Sequence, residues 1–118
     1  MKSGFSYIPK LVESLKKADP CKIILFGSYA SGSPDINSDI DILVVTSDQF
    51  IPENYEEKMQ IILKISGLIS EIRAEYPVDL IVHTLPMHQK FIEYGSMFSK
   101  EILNNGKILY EKDYRGVA

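Results

Sequence analysis

The sequence predicts an α/β (α+β) domain, a small mixed β-sheet flanked by helices. Three observations carry that expectation. Short apolar runs of strand length alternate with longer stretches of helical periodicity, in the order α-β-β-α-β-α-α-β. The chain has 118 residues, one domain's worth, enough to bury a core without disulfides or structural metals. Hydrophobic residues at 45% and charged residues at 25% are ordinary for a globular domain. Disorder, collagen-like repeats and disulfide scaffolds are thereby excluded.

Residues 6–18 read as the first helix. Ile8, Leu11, Val12 and Leu15 follow helical spacing, with Glu13, Lys16 and Lys17 on the other face. Ser6 is the expected N-cap and Pro9 fits the first turn. Asp19-Pro20 ends the helix, because a residue before proline is pushed out of the helical region. Lys22–Phe26 is a short buried strand. The stretch Tyr29–Ser38 is full of small and turn-forming residues and reads as a loop. Asp39–Thr46 is the second strand, and residues 47–54 connect it onward.

Tyr55–Tyr76 reads as the longest helix. Met59, Ile62, Ile65, Ile69 and Ile72 form its apolar stripe, which implies core packing and no cofactor; Gly67 is a local weakness. Pro77 stops it. Val78–Val82 is the third strand, with Val78, Leu80 and Val82 on one face and Asp79 and Ile81 on the other. A short helix is expected from Pro86 to about Glu93. Another, capped by Ser96, runs to Asn104 and is ended by Asn105-Gly106 as a C-terminal glycine ends a helix. Lys107–Tyr110 is the last strand. One domain over residues 1–118 is expected, with its core at about 6–110 and a loose tail from Glu111.

Lys and Arg total 13, Asp and Glu 16, for a net charge of −3. Duplex binders show a basic footprint, so bulk nucleic-acid binding is not expected. The single cysteine, Cys21, cannot form an internal disulfide and reads as a small buried hydrophobe in a reducing compartment. No secretory signal is readable. The longest uninterrupted apolar runs are four residues, as in Ile23–Phe26, against the ~20 that a membrane span needs. No membrane association and a cytoplasmic location are the expectations.

The chemistry concentrates at two junctions. In Asp39-Ile40-Asp41, residues i and i+2 of a strand share a face, so the two carboxylates project together. At ~5 Å separation they repel by about 3 kcal/mol at an effective dielectric near 20. Water or a cation must screen them, and hard oxygen ligands at this spacing suit Mg²⁺ with substrate phosphates. In Phe26-Gly27-Ser28, glycine lets a phosphate approach the backbone, and Ser28 at a short helical turn would supply N–H groups and a hydroxyl. A phosphate site beside a metal site is the pairing that phosphoryl or nucleotidyl transfer needs. Asp79, inside an apolar strand, is costly unless it reaches solvent, a partner or a metal. If its strand lies beside that of Asp41, three aspartates converge and two Mg²⁺ ions can be held.

Leu25-Phe26-Gly27-Ser28, followed by Ser38-Asp39-Ile40-Asp41-Ile42-Leu43-Val44, resembles the signature of the DNA polymerase beta-like nucleotidyltransferase superfamily. Within it the chain resembles the minimal nucleotidyltransferases (MNT), over about residues 6–110. Asp79 in its apolar strand and the ending Gly106-Lys107-Ile108-Leu109-Tyr110-Glu111 agree with this. The resemblance implies the polymerase beta-like fold. It implies that Gly27 and Ser28 hold the nucleoside triphosphate and that Asp39 and Asp41 bind metal. Asp79 would be the third ligand and help activate the nucleophile. In one departure, Ser31 stands in the loop where family members often carry arginine.

The implied activity is Mg²⁺-dependent transfer of AMP, or another nucleoside monophosphate, from ATP or another nucleoside triphosphate to a hydroxyl. The implied context is a toxin–antitoxin pair, in which an MNT protein neutralises a small helical HEPN-type partner, in some cases by adding AMP to a tyrosine. Two other functions are weighed: an antitoxin that acts by contact alone, and a transferase for a small molecule such as an aminoglycoside. His83 and His88 read as plain surface or strand-end histidines, and Ser38 as a loop-orienting residue.

Overall fold

The computed structural model describes residues 4–112. Its sheet has four strands: β1 (Lys22–Phe26), β2 (Ile40–Val45), β3 (Val78–His83) and β4 (Lys107–Glu111), in spatial order β3-β2-β1-β4. β1 runs antiparallel to both β2 and β4, whereas β2 and β3 are parallel. The α/β (α+β) mixed sheet expected from the sequence is therefore the observed one.

Strand periodicity divides the core between the two faces. Ile23 and Leu25 of β1, Ile40, Ile42 and Val44 of β2, and Val78 and Val82 of β3 point one way. Against them pack Leu11 and Leu15 of α1 (Ile8–Leu15), with Ile65 of α3 (Tyr55–Leu68) and Ile72 of α4 (Ser70–Glu75). Tyr29 and Ala30 of α2 (Gly27–Ser31) join the same layer. Ile24 and Phe26 of β1 with Leu43 and Val45 of β2 point the other way, toward α5 (Leu85–Tyr94) and α6 (Met97–Asn105). Each fully buried branched side chain contributes roughly 1.5–3 kcal/mol, and a one-residue slip would carry each set to the opposite face, against helices it does not fit, so the two packed faces together fix the register.

Several local expectations are corrected. Ser6 does not cap the first helix, because it lies inside a 3-10 turn (Gly4–Tyr7) that precedes α1. The helical run does end at Asp19-Pro20 as expected, with Asp19 in a left-handed conformation (φ 51°) that a short polar residue tolerates. The expected helix over 55–76 is two helices. Its hydrogen-bond ladder breaks at Ile69 (φ −117°, ψ 17°), two residues after Gly67. Residues 29–31, read as loop, belong to α2, the short helical turn that opens at Gly27-Ser28. Gly106 does not end α6 in the left-handed region (φ −71°); the site requires glycine because a Cβ there would overlap the Ile102 carbonyl.

Ser96 does cap α6, accepting from the Ser99 amide at 3.1 Å, and Thr84 and Asn54 do the same for α5 and α3. The loose tail was expected to begin at Glu111, but Glu111 belongs to β4 and pairs with Lys22 at 3.2 Å. Residues 113–118 lie outside the described residues. No helix among the described residues is long and apolar enough to cross a membrane.

Candidate active site

The parallel pairing of β2 with β3 sets Asp41 directly beside Asp79. Antiparallel pairing on the other side sets Asp41 opposite Phe26, the last residue of β1. Chain direction therefore brings the C-terminal end of β1 and the N-terminal ends of β2 and β3 to one edge of the sheet. Gly27, Asp41 and Asp79, each picked out in the sequence, meet there. Asp39 stands one residue ahead of β2, at the threshold of the strand and not within it as expected.

Asp41 is half-buried, and its carboxyl is pushed up from 3.8 to about 6. Burial is the main cause. The charge of Asp79, a hydrogen bond between the Asp41 and Asp79 carboxyls, and the charge of Asp39 follow in that order. The charges of Asp79 and Asp39 thus act on Asp41 in the same direction as its burial. Asp79 is exposed on its strand, open to whatever approaches the sheet edge.

Gly27 enters α2 with φ +72°, and a Cβ there would overlap Oδ2 of Asp41. Two constraints, conformation and space, exclude every other residue from this position. The bare backbone leaves the Asp41 carboxylate reachable from the β1–α2 turn. Ser28 follows in the first turn of α2, half-exposed. Ser31 donates its hydroxyl hydrogen to the Ser28 carbonyl at 2.9 Å and pairs with Ser33 at 3.1 Å. It folds back on its own helix, where an arginine would reach outward.

Among the described residues, no three acidic, histidine or cysteine side chains close around one point as a ready-made metal cage. The donor set nevertheless fits Mg²⁺, which keeps several waters and is held by one or two carboxylates plus substrate phosphates. A carboxyl with a raised pKa, facing a second carboxyl across a strand pair, is a concentration of negative charge that a divalent cation relieves.

Sequence reasoning missed two features. Tyr29, placed in a loop, is buried to 3% exposure and hydrogen-bonds the hydroxyl of Tyr76. The one signal was an aromatic residue among serines and glycines. His88, read as a surface residue, is buried, and its Nδ1 lies 3.2 Å from Nδ1 of His83. Burial pushes His88 down to about 4, with His83 and Lys22 adding to the effect, and lowers His83 as well. The two rings are neutral near pH 7 and pack against Phe91, under α5 and away from the aspartates. Cys21 is buried, as expected. A cavity of about 260 Å³ opens at the other end of β2, lined by Thr46, Ser47, Asp48 and Lys64. None of the site residues lines it, so the aspartates and this cavity occupy opposite ends of the strand.

Residues 9–115 match the family model for polymerase beta, nucleotidyltransferase. A Methanocaldococcus jannaschii protein named as a protein adenylyltransferase is 34% identical over 91 residues, covering 75% of this chain and 77% of that protein. Caffeine-induced protein 16 of Schizosaccharomyces pombe is 36% identical over 73 residues; the match covers 60% of this chain and 6% of the yeast protein. Among solved structures, a toxin–antitoxin complex crystallised with AMP-PNP superposes with a TM-score of 0.55 at 24% identity, over 89% of this chain and 73% of that one. A nucleotidyltransferase structure from Sulfolobus solfataricus has a TM-score of 0.50 at 22% identity, over 95% and 93%. At these identities the solved structures speak for the fold.

Proposed function

Because the chain belongs to the polymerase beta nucleotidyltransferase family, we propose that it moves AMP from ATP to a hydroxyl on a partner protein. The partner is a small helical toxin of the HEPN type, and the modification neutralises it. The observation that carries this reading is the register of Asp41 against Asp79, with Gly27 held open beside them. A relative named as a protein adenylyltransferase supports a protein acceptor, and a fold neighbour in a toxin–antitoxin complex with AMP-PNP supports the context.

Gly27 and Ser28 receive the triphosphate against the backbone of the β1–α2 turn. Asp39 and Asp41, with Asp79, would hold Mg²⁺. A divalent cation bound there neutralises phosphate charge and favours ionisation of the attacking hydroxyl. Asp79, exposed at the strand edge, takes the hydroxyl proton. The freed oxygen attacks the α-phosphorus in line, the new P–O bond forms, and the bond to pyrophosphate breaks.

The decisive experiment incubates the chain with labelled ATP, Mg²⁺ and the product of the neighbouring gene. Transfer of label, with the partner's mass rising by one or more AMP units, is the expected result. A stable complex with no mass change would favour neutralisation by contact, and label on a small hydroxylated compound a small-molecule transferase. Cation affinity should also depend on pH. Asp41 must lose its proton to bind, so apparent Mn²⁺ affinity, followed by calorimetry, should fall by up to about tenfold per pH unit below about 6 and level off above it.

A further inference from the structure

The Tyr76-Pro77 corner, where α4 gives way to β3, grips the chain on both sides of Asp39. The Tyr76 hydroxyl donates to the carbonyl of Ser38 at 3.3 Å. The carbonyl of Pro77 accepts from the Ile40 amide at 3.1 Å. With its one hydrogen committed to Ser38, the Tyr76 oxygen accepts from the hydroxyl of Tyr29. Tyr29 stands on α2, two residues beyond Gly27, and its buried ring packs edge-on against Phe5 and Tyr76. One chain of hydroxyls therefore joins the β1–α2 turn, the residue ahead of Asp39, and the corner that starts the strand of Asp79.

We propose that Tyr76 and Tyr29 are positioning residues, a bridge that fixes Asp39 relative to Asp41 and to the Gly27 turn. This rests on the nucleotidyl-transfer reading for its consequence, though not for its geometry. Asp39 precedes the strand and lacks the flanking ladder bonds that hold Asp41 and Asp79, so its backbone is placed by this corner together with the turn in which Ser38 bonds Asp35. A carboxylate that must meet a cation tolerates little displacement, and a 1 Å misplacement can cost about a hundredfold in rate.

The test compares Tyr76→Phe, Tyr29→Phe and the double variant with the wild type. Phenylalanine keeps the ring contacts of Tyr76 with Tyr7 and Tyr29. For Tyr76→Phe, kcat should fall about tenfold with KM for ATP moved less than about twofold, since loss of position and not of ground-state binding is expected. Amide hydrogen exchange at residues 38–40 should quicken. Tm should fall, because the buried Tyr29 hydroxyl is left without its partner. Tyr29→Phe spares the Tyr76–Ser38 bond and should lose less kcat. In the double variant Tm should recover while kcat stays at the Tyr76→Phe level, which separates positioning from stability. Wild-type exchange at 38–40 in Tyr76→Phe would overturn the proposal, and so would a kcat that recovers together with Tm. If the wild type itself transfers no nucleotide, the function reading fails and the exchange measurement alone decides the bridge.

Discussion

Asp41→Asn is expected to lower nucleotidyl transfer at least about a hundredfold and to leave a folded protein that is more stable than the wild type near pH 7. Under the proposed mechanism the loss follows from removing the negative charge that lies in register with Asp79. The gain follows from the same charge. The Asp41 carboxyl titrates at about 6 in the fold against 3.8 for the free group, so the native state holds its proton more tightly than the unfolded chain does. Its contribution to stability is fully present below about pH 3.8 and lost as pH rises through about 6. At neutral pH the ionised group is a burden that asparagine lacks. Tm measured for both proteins at pH 4 and pH 7.5 should therefore diverge at the higher pH and come together at the lower. Unfolding of the variant at both pH values, seen by circular dichroism, would make Asp41 a structural residue.

Gly27→Val should be as damaging to activity, and to stability as well. A side chain at φ +72° costs about 1–3 kcal/mol in backbone strain alone, at the upper end for a β-branched residue. Its Cβ would also displace the Asp41 carboxylate. ATP affinity and transfer should both collapse. Gly32 provides the control, since it has φ +80° but nothing within 4 Å of a Cβ. Gly32→Ala pays only for the backbone, about 1–2 kcal/mol, and should keep ATP affinity, whereas Gly27→Ala should lose it. Calorimetric ATP binding to both alanine variants checks this. Equal affinities would remove Gly27 from the nucleotide site.

Much of this was legible in the chain. Period-two alternation in Asp39–Thr46 and Val78–Val82 located two strands, with Asp41 and Asp79 opposite the face that buries Ile40, Ile42, Val78 and Val82. Gly27 was legible only through its fixed order and spacing relative to Asp39-Ile40-Asp41, because a Gly-Ser pair by itself carries no signal. The pairing of β2 with β3 was a supposition at that level. Nothing in a strand's own residues names its neighbour, and parallel pairing depends on the whole crossover. The break at Ile69 was hidden because the isoleucine stripe runs on at helical spacing through both α3 and α4. The Tyr29–Tyr76 contact was illegible for the same reason as the sheet order: its partners are far apart in sequence and belong to elements whose packing decides it.

The parallel join of β2 to β3 has a kinetic meaning. β1, α2 and β2 are neighbours in the chain, and their antiparallel pair can close early at small entropic cost. That local piece already carries Gly27, Ser28, Asp39 and Asp41. Asp79 arrives only when residues 46–77 have looped across and β3 has docked, the long-range step that topology makes slow. A chain with only that hairpin formed would hold four of the five residues and lack Asp79, the carboxylate that would receive the hydroxyl proton. Competence waits on this long-range contact, so activity recovered during refolding should lag the hairpin's own signal and track the docking of β3.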